Sequence, residues 1–120
     1  MSRTIVIADD EPFILSLLRA TLKGFDAVEA DDGVAALAAV REHSPAILIV
    51  DADMPGLDGF EVARTLRDDS DGPQPHILML TAAGRQSDRD RAEEVGVDEY
   101  LTKPFSPSEL RARVQELLGD

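Results

Sequence analysis

A chain of 120 residues with 43% apolar content is long enough for one globular domain around a single core, and too apolar to be disordered. Its 24 acidic side chains against 12 basic ones leave a net charge of −12, which opposes direct binding to nucleic-acid backbones or anionic membranes. The absence of cysteine excludes disulfides, thiolate metal sites and cysteine nucleophiles. No apolar run nears the ~18 residues of a membrane span and no signal-peptide pattern follows Met1, so a soluble cytoplasmic domain is expected.

Apolar runs alternate with amphipathic segments along the whole chain, the pattern of βα units on a parallel sheet. The first predicted strand, residues 4 to 8, stops at Asp9-Asp10. A helix then begins near Glu11-Pro12, with proline suited to its first turn and Phe13, Ile14, Leu17, Leu18 and Leu22 read as a core stripe. A mixed strand at 27 to 30 and a helix over 34 to 42 follow. The third strand, 46 to 50, ends at Asp51, and the third helix, 60 to 67, turns Phe60, Ala63 and Leu66 inward. The breaker-rich run 68 to 75 reads as a solvated loop on the face away from any crevice. The fourth strand, 76 to 80, is followed by Thr81. The segment from Arg85 to Val95 offers only Ala92 and Val95 as apolar anchors, so the fourth helix is expected to be free to move. A mixed fifth strand, 98 to 101, leads to Lys103, and the last helix presents Leu110, Val114, Leu117 and Leu118 on one side.

Strands one, three and four are almost continuously apolar, as expected of strands buried on both faces, which leaves two and five as edges. With right-handed crossovers, those edges select the order 2-1-3-4-5 and place a ligand crevice at the reversal between strands one and three, beside Asp10 and Asp51. Asp9, Asp10, Asp51, Thr81 and Lys103 all stand where an apolar run stops, and so converge there. Singly, each has an ordinary explanation as a turn, a cap, a strand end or a solvated lysine. Together they make a coherent chemical set. Carboxylates favour Mg²⁺, an ionised aspartate attacks phosphorus without a general base, and a lysine and a hydroxyl steady the phosphoryl oxygens. A calcium loop starting at Asp51 fails because its twelfth position is Val62. His43 and His76 lack ligand-spaced partners and read as ordinary.

The segments Ala8-Asp9-Asp10-Glu11-Pro12, Asp51-Ala52-Asp53-Met54-Pro55-Gly56-Leu57-Asp58-Gly59, Leu80-Thr81-Ala82 and Tyr100-Leu101-Thr102-Lys103-Pro104-Phe105 resemble the receiver domain of two-component response regulators over the whole chain. The resemblance implies a flavodoxin-like, doubly wound (βα)5 fold forming one receiver domain over residues 1–120. It implies Asp51 as phosphoacceptor, and Asp9, Asp10, Asp51 and the Asp53 carbonyl around Mg²⁺. Lys103 and Thr81 would act on the phosphoryl group, Thr81 and Tyr100 would form a switch, and the Lys103-Pro104 peptide would be cis. Asp53 and Ala83 occupy positions that tune phosphoryl lifetime in such domains. The implied partner is a sensor histidine kinase or phosphotransfer protein, docking near Glu11 and Pro12. The protein would catalyse its own phosphorylation and dephosphorylation without being a conventional enzyme. Phosphorylation would switch the face formed by helix four, strand five and helix five, allowing a homodimer through Arg89 to Glu109 and Glu99 to Arg113 contacts. The rival reading is a haloacid-dehalogenase-like phosphatase using Asp51 and Asp53, and a third is a scaffold that binds partners without phosphorylation. Both the stand-alone domain and the receiver part of a longer regulator fit a chain of this extent.

Overall fold

The computed structural model describes residues 2–82 and 86–119. Five βα units follow one another: β1 (Thr4–Ala8), α1 (Pro12–Thr21), β2 (Asp26–Ala30), α2 (Gly33–His43), β3 (Ile47–Asp51), α3 (Gly59–Asp68), β4 (His76–Ala82), α4 (Gln86–Glu94), β5 (Glu99–Lys103) and α5 (Pro107–Leu118). All strand pairs are parallel and the order is β2-β1-β3-β4-β5, as expected from the burial of the strands. The chain's winding therefore reverses between β1 and β3.

Alternation along the strands divides the core in two. Ile5, Ile7, Ile47, Ile49, Leu78 and Leu80 pack with Leu18 and Leu22 of the α1 side and with Leu110 and Val114 of α5. Val6, Ala8, Leu48, Val50, Ile77 and Met79 pack with α2, α3 and Ala92 of α4. Both faces of the central strands are thus covered, which is why their sequences are apolar throughout. Each fully buried Ile or Leu contributes roughly 1.5–3 kcal/mol.

The helix starts are set by local chemistry. Asp32 caps α2 by accepting from the Ala35 N–H at 2.7 Å, Ser106 caps α5 ahead of Pro107, and Asp58 and Glu61 form a reciprocal capping box on α3. At α1 the capping position is Glu11, whose side chain makes no cap; its N–H instead donates to Asp9 Oδ1 at 2.9 Å.

Two expectations need correction. Phe13 is 75% exposed, not part of the core stripe. Five residues from Leu18, it lies about 140° around the helix from that buried side chain, and the inward stripe is Ile14, Leu15, Leu18 and Leu22. In addition, β4 and β5 outlast their apolar runs: Thr81 pairs with Thr102 and Ala82 with Lys103, so Thr81 and Lys103 lie inside strands rather than after them. The expected scarcity of apolar anchors in α4 is observed, with Ala92 fully buried in a helix otherwise composed of polar and charged residues.

Candidate functional site

The carboxyl ends of β1, β3 and β5 bring three groups into contact at the topological reversal. Asp9 follows β1 and is fully buried, Asp51 is the last residue of β3 and only 4% exposed, and Lys103 is the last residue of β5. Lys103 Nζ stands 3.1 Å from Asp9 Oδ2 and 3.1 Å from Asp51 Oδ1, with Glu11 Oε1 at 3.7 Å. Asp10 and Glu11 are exposed at the rim, and carboxylate oxygens of Asp9, Asp10, Glu11 and Asp51 all lie within 4.8 Å of one another.

So many carboxylates in so small a space repel one another. Burial, and then the charge of Asp9, push the Asp51 carboxyl up from 3.8 to about 6, against the opposing pull of Lys103 and the Asp53 N–H. For Lys103, burial works against the ammonium. The adjacent Asp51 and Asp9 outweigh it and hold its pKa above the usual lysine value. A hard divalent cation suits this donor set: the oxygens are anionic, clustered and partly open to water, as Mg²⁺ requires.

The backbone around Asp51 is closely fitted. A Cβ on Gly59, the first residue of α3, would fall 2.3 Å from the Asp51 carbonyl oxygen, so only glycine permits this approach. The Gly59 N–H donates to the Ala52 carbonyl at 3.0 Å, tying the start of α3 to the end of β3. Asp53 is exposed on the intervening loop and its N–H lies 3.4 Å from Asp51 Oδ1. Thr81 is buried one residue beyond Leu80, the register partner of Asp51, and its hydroxyl faces the Leu101 carbonyl at 3.5 Å. The Lys103-Pro104 peptide is cis. Ala83 lies outside the described residues.

On the α4, β5 and α5 face, Tyr100 is half-buried with the Arg89 guanidinium 5.1 Å from its ring centre. Glu99 and Arg113 are already joined within the chain, Arg113 Nε donating to Glu99 Oε1 at 2.8 Å and to Oε2 at 3.0 Å. Those hydrogen bonds hold the Glu99 carboxyl below its usual range. Arg113 also reaches Glu116, and His76 Nε2 sits 2.5 Å from Glu99 Oε2, so a histidine read as ordinary belongs to this ion network. Glu109 stands in the first turn of α5, where its N–H donates to Ser106 Oγ.

Sequence reasoning missed Glu11 as a member of the carboxylate cluster, although its place directly after Asp9-Asp10 was a usable signal. It also missed Arg91, whose guanidinium lies 4.3 Å from the Phe60 ring centre and 3.4 Å from Asp58 Oδ2. Nothing in the local pattern marks that contact between α4 and the start of α3.

A family model described as the response regulator receiver domain matches residues 5–115. Among curated proteins, the chain is similar to the probable transcriptional regulator ycf27 of Pyropia yezoensis, 42% identical over 116 residues that make up 95% of this chain and 46% of that protein. It is also similar to the alkaline phosphatase synthesis transcriptional regulatory protein PhoP of Bacillus subtilis, 40% identical over 120 residues, 98% of this chain and 49% of the relative. The chain thus spans about half the length of the curated relatives it matches. Among solved structures, a putative response regulator from Chloroflexus aurantiacus superimposes with a TM-score of 0.89 at 34% identity, covering 100% of both chains. The receiver domain of a sensor histidine kinase from Pseudomonas aeruginosa, with a magnesium ion coordinated in its active-site cleft, gives 0.87 at 28% identity, again over 100% of both chains.

Proposed function

We infer, for a chain that belongs to the response regulator receiver domain family, that Asp51 is the residue that takes up the phosphoryl group in a two-component phosphorelay. The observation that carries this reading is the ammonium of Lys103 set 3.1 Å from both buried carboxylates, Asp9 and Asp51, at the mouth of the crevice. The haloacid-dehalogenase-like alternative is not supported. The family model and the relatives are those of receivers, and the acidic pair that such a phosphatase carries after its lysine stands here at the end of β1.

The chemistry follows from the groups present. An ionised Asp51 oxygen attacks phosphorus while the bond from phosphorus to the donor nitrogen of a kinase histidine breaks, its electron pair leaving with that nitrogen. An acyl phosphate results. Lys103 would turn from Asp51 to the incoming phosphoryl oxygens, and the Thr81 hydroxyl would turn from the Leu101 carbonyl to donate to one of them. Asp9, Asp10 and Asp51, with the Asp53 carbonyl, would hold Mg²⁺, and the exposed Glu11 carboxylate is close enough to engage it through water. When bound, the ion neutralises charge between the attacking and transferred oxygens. Hydrolysis reverses the carboxylate's role: water attacks phosphorus and Asp51 leaves. Asp53 and Ala83, two positions after Asp51 and two after Thr81 in the sequence, would tune the lifetime of the acyl phosphate.

Receiver domains of response regulators interact with histidine kinases. Here the rim at Glu11, Pro12 and Phe13 offers the docking surface nearest the crevice, in the cytoplasm where such kinases present their phosphohistidine. The name of the Bacillus subtilis relative describes a transcriptional regulator; an output of that kind belongs to a longer protein of which this domain would be the input. Among the described residues no helix is long and apolar enough to cross a membrane.

The test is intact-mass analysis after incubation with Mg²⁺ and acetyl phosphate or a histidine kinase. Wild type should gain one acid-stable, base-labile phosphoryl group and Asp51→Asn none; equal labelling of the two would overturn the assignment.

A further inference from the structure

The fourth helix has little apolar area to hold it: Ala92 is fully buried and Val95 just beyond the helix nearly so, while Gln86–Glu94 is otherwise polar. Between α3 and α4 lies a small groove of about 120 Å³ lined by Phe60, Glu61, Arg64, Arg91, Glu94 and Val95, so the two helices do not interlock there. Arg91 spans it. Its guanidinium lies over the Phe60 ring at 4.3 Å and approaches Asp58 Oδ2 at 3.4 Å. Both partners sit at the start of α3: Asp58 is its cap, Phe60 its buried second residue, and Gly59 between them is fitted against the Asp51 carbonyl. Arg91 is therefore a bond between the most weakly packed helix and the backbone that carries the candidate phosphorylation site.

We propose that Arg91 is a positioning residue that fastens α4, through Asp58 and Phe60, to the loop that follows Asp51 and carries Asp53, so that the state of the site and the position of α4 bias each other through the first turn of α3. This rests on the receiver reading, but the route is separate from the one through Thr81 and Tyr100, which runs along β4 and β5. A planar cation suits both roles at once, since it stacks on the ring while one edge points at a carboxylate. Sites coupled in this way influence each other reciprocally.

Amide hydrogen exchange tests the proposal in two arms. In buffer without Mg²⁺ or phosphodonor, Arg91→Ala should exchange about fivefold faster than wild type at the amides of Ala92 to Gly96, the loss expected of one partly exposed cation–π contact and one exposed ion pair, while strand amides stay unchanged. Asp58→Asn, which keeps the cap on α3, should give a smaller increase, and adding Arg91→Ala to Phe60→Leu should raise α4 exchange by no more than Asp58→Asn does on its own, because only the Asp58 contact is then left to lose. With Mg²⁺ and beryllofluoride added, the exchange change in α4 seen in wild type should shrink in Arg91→Ala. Wild-type exchange rates in donor-free Arg91→Ala, or a full ligation response in that variant, would overturn the proposal. A wild-type protein that takes up no phosphoryl group would instead strike at the receiver reading and leave the donor-free comparison standing.

Discussion

Replacing Asp51 by Asn should make the metal-free domain more stable at neutral pH, although it removes the group on which the proposed function depends. The native carboxyl titrates near 6 against 3.8 ordinarily, mainly because it is buried and secondarily because Asp9 is beside it. A native pKa above the unfolded one means that the folded state binds the extra proton. The ionised form's cost is thus fully present above pH 6 and disappears as pH falls below 3.8. At roughly 1.36 kcal/mol per pH unit the cost amounts to about 3 kcal/mol. Asn reproduces the shape of the neutral acid without a charge to desolvate, so the variant should gain a comparable amount, on the order of 10 °C in Tm for a domain of this size. Urea unfolding in chelator-treated buffer at pH 7.5, 6 and 4.5 measures it. The gap between variant and wild type should be largest at pH 7.5 and narrow steadily toward pH 4.5. Millimolar Mg²⁺ should close part of the gap at pH 7.5 by stabilising wild type more than the variant. A variant no more stable than wild type at pH 7.5, or a gap independent of pH, would refute the reasoning.

Lys103→Met should slow phosphorylation by acetyl phosphate by about 10²-fold or more, because it withdraws the cation that faces the transferred oxygens, while a Mg²⁺ titration followed by unfolding midpoint still shows binding. Thr81→Ala should accept a phosphoryl group but show blunted NMR shifts at Tyr100 and along α4; shifts of wild-type size would mean that the signal bypasses the threonine. Dimer formation through the α4, β5 and α5 face should appear by sedimentation on beryllofluoride treatment. Because Glu99 and Arg113 are already paired within the chain, Glu99→Gln should alter the association constant by less than about fivefold, as expected when one surface pair exchanges for another. A beryllofluoride-treated protein that stays monomeric at high concentration would exclude the dimer.

The fold was legible because the burial of each strand is written in its composition. Ile47 to Val50 is apolar at every position and lies in the middle of the sheet, whereas Asp26–Ala30 and Glu99–Lys103 are mixed and lie at the edges. The candidate site was legible for a related reason: the apolar runs of β1 and β3 stop at Asp9 and Asp51, and carboxylates buried there need a charged partner, which Lys103 supplies. Strand length was less readable. The pairing of β4 with β5 continues to Ala82 and Lys103 because backbone hydrogen bonds do not require apolar side chains. Phe13 misled for another reason, since a large apolar residue in an amphipathic helix looks buried until its angle to the true stripe is known. Contacts such as Glu99 to Arg113, or Arg91 to Phe60, join elements far apart in sequence, and only the packed structure decides which partner a long side chain meets.

Lys103 between Asp9 and Asp51 is, in effect, a counter-ion on a tether. A covalently attached ammonium never leaves by diffusion, so a divalent ion entering the crevice competes with a resident charge whose local concentration dilution cannot lower. The resident is monovalent and faces three carboxylates, Asp9, Asp51 and Glu11, so it quenches their field only in part and leaves room for a second cation. Ion capture and the release of the lysine would then be two sides of one exchange. The arm that Lys103 would free on arrival of an ion is the same arm that the proposed reaction needs for its anionic cargo, so metal entry would prime the crevice for phosphate.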